Sequence, residues 1–278
     1  MKTFQFFLLI LLSNPSYSQF QRGFEEAEIY FRNNQSIKGF IYDDFAQNDF
    51  YGKSDFKQTG SVSGNSSIGA YPSIVSFQTI IKTIYFKQHE TDGQQTGYPA
   101  DSIDFITVSR SDEIQKYKTM KVIRADLKSQ PLKFDTLNRL IWLPVRKEGK
   151  INMYGYYSWA LKKSNGWAEV YFQREGEEYA VNPIQSHKLN VNAQRHGIRA
   201  SLLKIFNDCP KFEENIETII DTYLQDFHEA RKLTNEEKNK IKQQRKELRD
   251  ITEVEIREQN SYVPYENILN KYYEYCGQ

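Results

Sequence analysis

Residues 197–227 read GIRASLLKIFNDCPKFEENIETIIDTYLQDF. Ahead of this stretch apolar residues tend to alternate; from here on they recur at helical spacing. Ile198, Leu202, Leu203, Ile205 and Phe206 are placed on a first helix. Pro210 suits the opening turn of a second, where its missing N–H would have had no partner. Phe212, Ile216, Ile219, Ile220, Tyr223, Leu224 and Phe227 then form a broad apolar stripe. That pattern predicts an amphipathic helix over 210–227, packed on a sheet or on neighbouring helices.

Downstream, Thr234 and Glu237 have the spacing of a capping box, in which each side chain satisfies a backbone donor near the other. From Asn235 to Glu258, seven basic and seven acidic residues surround Ile241, Leu248, Ile251, Val254 and Ile256. This composition predicts a charged helix over 235–258. A solvated helix with one narrow buried seam accounts for it more simply than a projecting helix or a coiled coil. A last helix is expected from Pro264, with Ile268, Leu269, Tyr272, Tyr273 and Cys276 inward.

Upstream, the signals are those of strands. "EIYF" and "SIKGFIY" in EIYFRNNQSIKGFIY (28–42) are β-branched and aromatic, and they meet at Asn33-Asn34. Asparagine tolerates the positive φ of a tight turn, so a hairpin is expected. A two-residue loop would set Tyr30 opposite Ile37. A three-residue loop would set Phe31 opposite Ile37 and Ile29 opposite Gly39, gathering more apolar residues on one face. Further strands are expected at 73–78, 81–88, 102–109, 115–124, 139–148, 151–160 and 166–175. Residues 57–72 are Gly/Ser-rich without apolar period and predict an exposed loop. Short strands with frequent turns argue for antiparallel pairing, and sandwich and open barrel both remain open. The fold class is therefore α+β. An antiparallel β-domain over 19–183 precedes a helical region over 184–278.

The start of the chain is not expected to belong to this fold. Lys2 precedes the apolar run Phe4–Leu12, and Ser16 and Ser18 sit where a cut before Gln19 needs small residues. Residues 1–18 thus predict a secretory signal peptide, too short in its apolar run to span a bilayer. Export to the periplasm or the extracellular surface follows, with no transmembrane anchor. Losing Lys2 leaves as many basic residues as the 36 acidic ones. That balance gives no reason to expect nucleic acid as a partner. Cys209 and Cys276 are the two cysteines. An oxidising compartment permits a disulfide between them, pinning the chain end to the helical core.

No catalytic constellation emerges. G-x-S-x-G, H-E-x-x-H and a glycine-rich phosphate loop are all missing from the sequence. His89, His187, His196 and His228 are scattered, no tight ligand spacing implies a metal, and no cofactor is implied. The feature that asks for a function is aromatic. INMYGYYSWALKKSNGW (151–167) carries Tyr154, Tyr156, Tyr157, Trp159 and Trp167. Those that point outward from a sheet are candidates for binding a protein or stacking on sugar rings.

Taken with these motifs, the chain resembles an uncharacterised family of exported proteins of the Bacteroidota. The shared features are a signal peptide, a hairpin of the form n-G-d-t-i-x-G-x-I, and an f-x-D-C-P segment before a closing cysteine. NNQSIKGFI (33–41) matches the hairpin, with Asn34 where glycine is usual. FNDCPKF (206–212) matches the second segment, and KYYEYC (271–276) the closing one more loosely. YPADSI (98–103) and EGKINMYGYY (148–157) are similar to two intervening family segments, and 235–258 looks like an insertion. The resemblance implies a periplasmic or surface protein and supplies no catalytic residues. The expectation is a non-enzymatic cell-envelope protein that binds a partner protein or supports an envelope assembly. The alternative is a carbohydrate- or peptidoglycan-binding module that uses exposed aromatics.

Overall fold

A computed structural model describes residues 24–42, 83–110, 113–126, 133–160, 165–183 and 191–277. Among these are strands β1 (Phe24–Phe31), β2 (Ser36–Tyr42), β3 (Thr83–Lys87), β4 (Thr96–Pro99) and β5 (Ile103–Arg110). They continue with β6 (Glu113–Asp126), β7 (Lys133–Lys147), β8 (Ile151–Ala160), β9 (Asn165–Arg174) and β10 (Tyr179–Val181). Helices α1 (Val191–Ile205), α2 (Pro210–Glu214), α3 (Ile216–Glu229), α4 (Asn235–Gln243) and α5 (Lys246–Cys276) follow. Strands first and helices after make this an α+β fold. The signal peptide, the 57–72 loop and the 73–78 strand lie outside the described residues, and β4 and β10 join the strands expected.

The ten strands form one sheet in the order β10-β9-β8-β7-β6-β5-β1-β2-β3-β4. Pairing is antiparallel until the end, where Tyr179–Val181 of β10 also pairs in parallel with Lys121–Ile123 of β6. That contact closes β6 to β10 into a five-stranded ring, which answers the choice between sandwich and open barrel. Met120, Val122, Ile141, Leu143, Tyr154, Tyr171 and Ala180 form the core of the ring. Strand periodicity explains how the same sheet builds other cores. Tyr117, three residues from Met120 and so on the opposite face, joins Ile29, Ile41, Ile84, Phe86, Ile103 and Ile106 in a core of the N-terminal half. The core of the N-terminal half and the core of the ring therefore lie on opposite faces of the sheet.

The outside of the ring is where the helices pack. Met153, Val170, Phe172 and Val181 meet Leu202, Phe206, Phe212, Ile220, Tyr265, Leu269 and Tyr272 in one core that crosses from sheet to helices. Helix α5 lies close because Gly155 has no side chain: a Cβ there would stand 2.9 Å from the Glu169 carbonyl oxygen and 3.0 Å from the Tyr262 ring. Arg146 ties the approach, donating from Nε to the Gly155 carbonyl at 2.9 Å and pairing with Glu258 at 2.7 Å. Its guanidinium lies over the Tyr262 ring, 4.5 Å from the centroid.

Four expectations need correction. The helix expected over 210–227 is two, α2 and α3, divided at Asn215. The hairpin register is neither of the two weighed: Ile29 faces Ile37 and Tyr30 faces Ser36. The loop has three residues but begins one earlier, because Asn34 is the residue that takes positive φ, at 65°. Phe31 N–H donates to the Gln35 carbonyl and Asn34 N–H to that of Phe31, closing the turn. Next, 235–258 is not one helix. Helix α4 stops at Gln243, and α5 starts at Lys246. The capping box of Thr234 and Glu237 is present, and α4 buries no side chain. Finally, α5 does not begin at Pro264 but runs through it. An interior proline costs about 3 kcal/mol. Ile256, Tyr262, Tyr265, Ile268, Leu269 and Tyr272 are all buried along α5, and their burial offsets that cost.

Candidate functional site

The aromatic candidates of 151–167 lie on one hairpin, in which Ser158 faces Trp167 and Trp159 faces Gly166. Tyr154 is not available for binding. Its side chain is buried inside the ring, and its hydroxyl donates to Gln173 Oε1 at 2.7 Å. Burial holds its phenol well above the ordinary range. Strand alternation put it on the concave side once the sheet closed. Tyr157 is half-buried, and burial pushes its phenol up to about 12. The side chains of Tyr156, Trp159 and Trp167 lie outside the described residues. Beside Tyr154, Tyr171 donates to Glu169 Oε1, and Asn182 Nδ2 lies 3.4 Å from the same oxygen. This polar cluster is part of the ring's interior packing.

Cys209 and Cys276 are bridged, with Cα atoms 5.8 Å apart. The neighbouring Asp208 binds three elements together. Arg174 at the end of β9 reaches it at 2.7 Å, Lys150 from the β7–β8 turn at 3.1 Å, and Tyr272 of α5 donates its hydroxyl at 3.0 Å. Arg174 also donates to the Ile205 carbonyl at the end of α1. Partial burial opposes ionisation of Asp208. The hydrogen bonds from Arg174, Lys150 and Tyr272 together outweigh it and hold the carboxyl at about 2, below its ordinary 3.8.

A pH dependence follows with a definite sign. A depressed carboxyl stabilises the fold fully above its unfolded value and loses that contribution as pH falls through its folded value. The window is thus from about pH 4 down to about pH 2, and the amount is about 2 kcal/mol. Urea unfolding of wild type and Asp208→Asn at pH 5 and pH 2.5 tests this. The gap between the two should shrink by about 1.5 kcal/mol at the lower pH, which still lies just above the folded value. A gap that stays constant would show that Asp208 is not the titrating group.

The surface that sequence reasoning missed lies on the N-terminal half of the sheet, on the side away from its core. Ile29 points into that core, so Glu28 and Tyr30 point out. Tyr30 sits directly across from Phe105 of β5, and their rings stack at 4.2 Å and 18°. From the β6 side, Lys116 Nζ lies 4.4 Å from the Phe105 centroid. Glu28 accepts from Ser36 at 2.8 Å and stands 3.8 Å from Lys38. Hydrogen bonds from Ser36 and Tyr30, with the Lys38 charge, lower its carboxyl, and the same bond raises the Tyr30 phenol. Lys87 lies over Phe24, 4.0 Å from the centroid. Ile114 at 74% and Tyr85 at 58% are the most exposed large hydrophobic side chains described. Tyr85 leans over Gly97, where a Cβ would lie 3.4 Å from its ring. The one available signal was the polar residue alternating with each apolar one in EIYF. Which strand would lie beside it was not legible.

Among the described residues no group of three or more His, Cys, Asp or Glu is placed to hold a metal ion. No described helix is long and apolar enough to cross a membrane. Compared with protein-family models, curated proteins and solved structures, the chain matches none.

Proposed function

We propose that this is an exported, non-enzymatic protein of the cell envelope, and that the outer face of β6-β5-β1-β2 docks a partner protein. The leader-like residues 1–18 and the resemblance to exported Bacteroidota proteins support the location. The observation that carries the docking is the state of the Phe105 ring. Tyr30 stacks on it from the β1 side and Lys116 covers it from the β6 side. A sugar ring needs an open aromatic face, and Phe105 offers only an edge. A rigid aromatic pair, with exposed Ile114 further along the same face and Lys38, Glu28, Lys116 and Glu148 nearby, has the composition of a protein interface: apolar contacts and a charged rim.

Glycan binding is the second reading, and Tyr85 favours it, because more than half of its surface is open. The test uses Ile114→Asp and Lys116→Glu, both at surface positions that leave the cores intact. Incorporation of a photo-crosslinking residue at Ser109, opposite Ile114, should yield a discrete adduct in the envelope fraction. The two substitutions should weaken it at least about tenfold, the scale of losing a central contact. An adduct unchanged by both substitutions would sink the protein-docking reading. Sedimentation with purified peptidoglycan that is lost in Tyr85→Ala would put the glycan reading in its place.

A further inference from the structure

We infer that the Cys209–Cys276 bridge is a site of thiol–disulfide exchange with a small external thiol, and that it opens from the Cys276 side. The two sulfurs stand in different surroundings. Cys209 is buried at 4% exposure in the core that joins sheet and helices. Cys276 is only partly buried, as the last residue of α5, and is followed by exposed Gly277. An incoming thiolate therefore meets Cys276 first.

The sulfur that must leave is also the better prepared one. Phe212 N–H donates to Cys209 Sγ at 3.3 Å. A hydrogen bond of this kind favours the thiolate, and a better-stabilised thiolate leaves faster. Burial of Cys209 works against it. The carboxylate adjacent in sequence, Asp208, has its charge balanced by Arg174 and Lys150. The step is an exchange with no net oxidation. The thiolate attacks Cys276 Sγ and forms a mixed disulfide there. The bond between Cys276 and Cys209 breaks, and its electron pair stays on Cys209 Sγ. The proton given up by the incoming thiol is available to that thiolate.

The fold does not depend on the bridge to keep α5 in place. Tyr265, Ile268, Leu269 and Tyr272 remain buried along its inner side. Opening frees the final turn, including Tyr275 and Gly277. Tyr273, whose hydroxyl lies 3.4 Å from both the N and the O of Ile151, still holds the strand below.

The experiment treats the native full chain with reduced glutathione, quenches with acid and maps the adducts by peptide mass. The adduct should lie on the peptide that contains Cys276, in excess of Cys209 by at least about tenfold. Equal labelling, labelling on Cys209, or no adduct until denaturant is added would each overturn the inference. A second measurement compares iodoacetamide alkylation of the single free thiol in Cys209→Ser and Cys276→Ser. Cys276 should react at least about tenfold faster than Cys209. Comparable rates would remove the asymmetry on which the inference stands.

Discussion

Replacing Phe206 with alanine should lower the unfolding free energy by about 3–5 kcal/mol. The residue lies just beyond α1 and is 1% exposed. Its ring is surrounded by Phe212 at 4.5 Å, Tyr272 at 4.9 Å and Phe172 at 6.0 Å between centroids. Those neighbours come from α2, α5 and β9, so the hole would open where three elements converge. Two of the neighbours are themselves fixed, Tyr272 by its bond to Asp208 and Phe172 by the ladder of β9. The site thus has little freedom to collapse, which puts the cost toward the upper end of the range. Urea unfolding should show a lower midpoint with an unchanged slope. A loss below about 1 kcal/mol would mean that the helices are not packed on the ring as described.

Cys276→Ser should have an effect of similar size for a different reason. The bridge closes a loop with a sequence separation of 67 residues. Restricting the unfolded chain over such a loop is worth about 4 kcal/mol in the chain-entropy model. The buried contacts of α5 up to Tyr273 stay in place, so the loss should appear mainly in the unfolding free energy. Wild type unfolded in the presence of a reductant should match the variant. A variant as stable as oxidised wild type would show that the bridge does not form.

Local signals were legible wherever one residue pattern faced one environment. The stripe from Phe212 to Phe227 has a single buried side, and it predicts helix over 210–227, although nothing in it marks the division at Asn215 into α2 and α3. The capping box at Thr234 is legible because both partners lie within one turn. Longer-range facts were not. Nothing in RKEL marks the break before Lys246, and Pro264 reads as a helix start until the buried tyrosines on both sides of it are known. Tyr154 looks like its neighbours Tyr156 and Tyr157; only closure of the ring by β10 makes its side the inside. The stacked pair of Tyr30 and Phe105 unites residues 75 positions apart. Their meeting depends on β5 returning beside β1, which no local pattern encodes. The hairpin register turned on which asparagine took the positive φ, and both were candidates by residue type.

The ring is sealed by very little. β10 contributes three residues to its pairing with β6, whereas β8 and β9 are matched over ten. The seam of β10 with β9 is shorter still, at Val181 and Phe172, so β10 as a whole is the cheapest place for the barrel to part. Outside it, α1 packs against β6, β9 and β10 and works as a hoop. Opening there can admit water to Tyr171 and Glu169 while β8 and β9 stay zipped. The barrel is in this sense a clasp, fastened by its shortest strand.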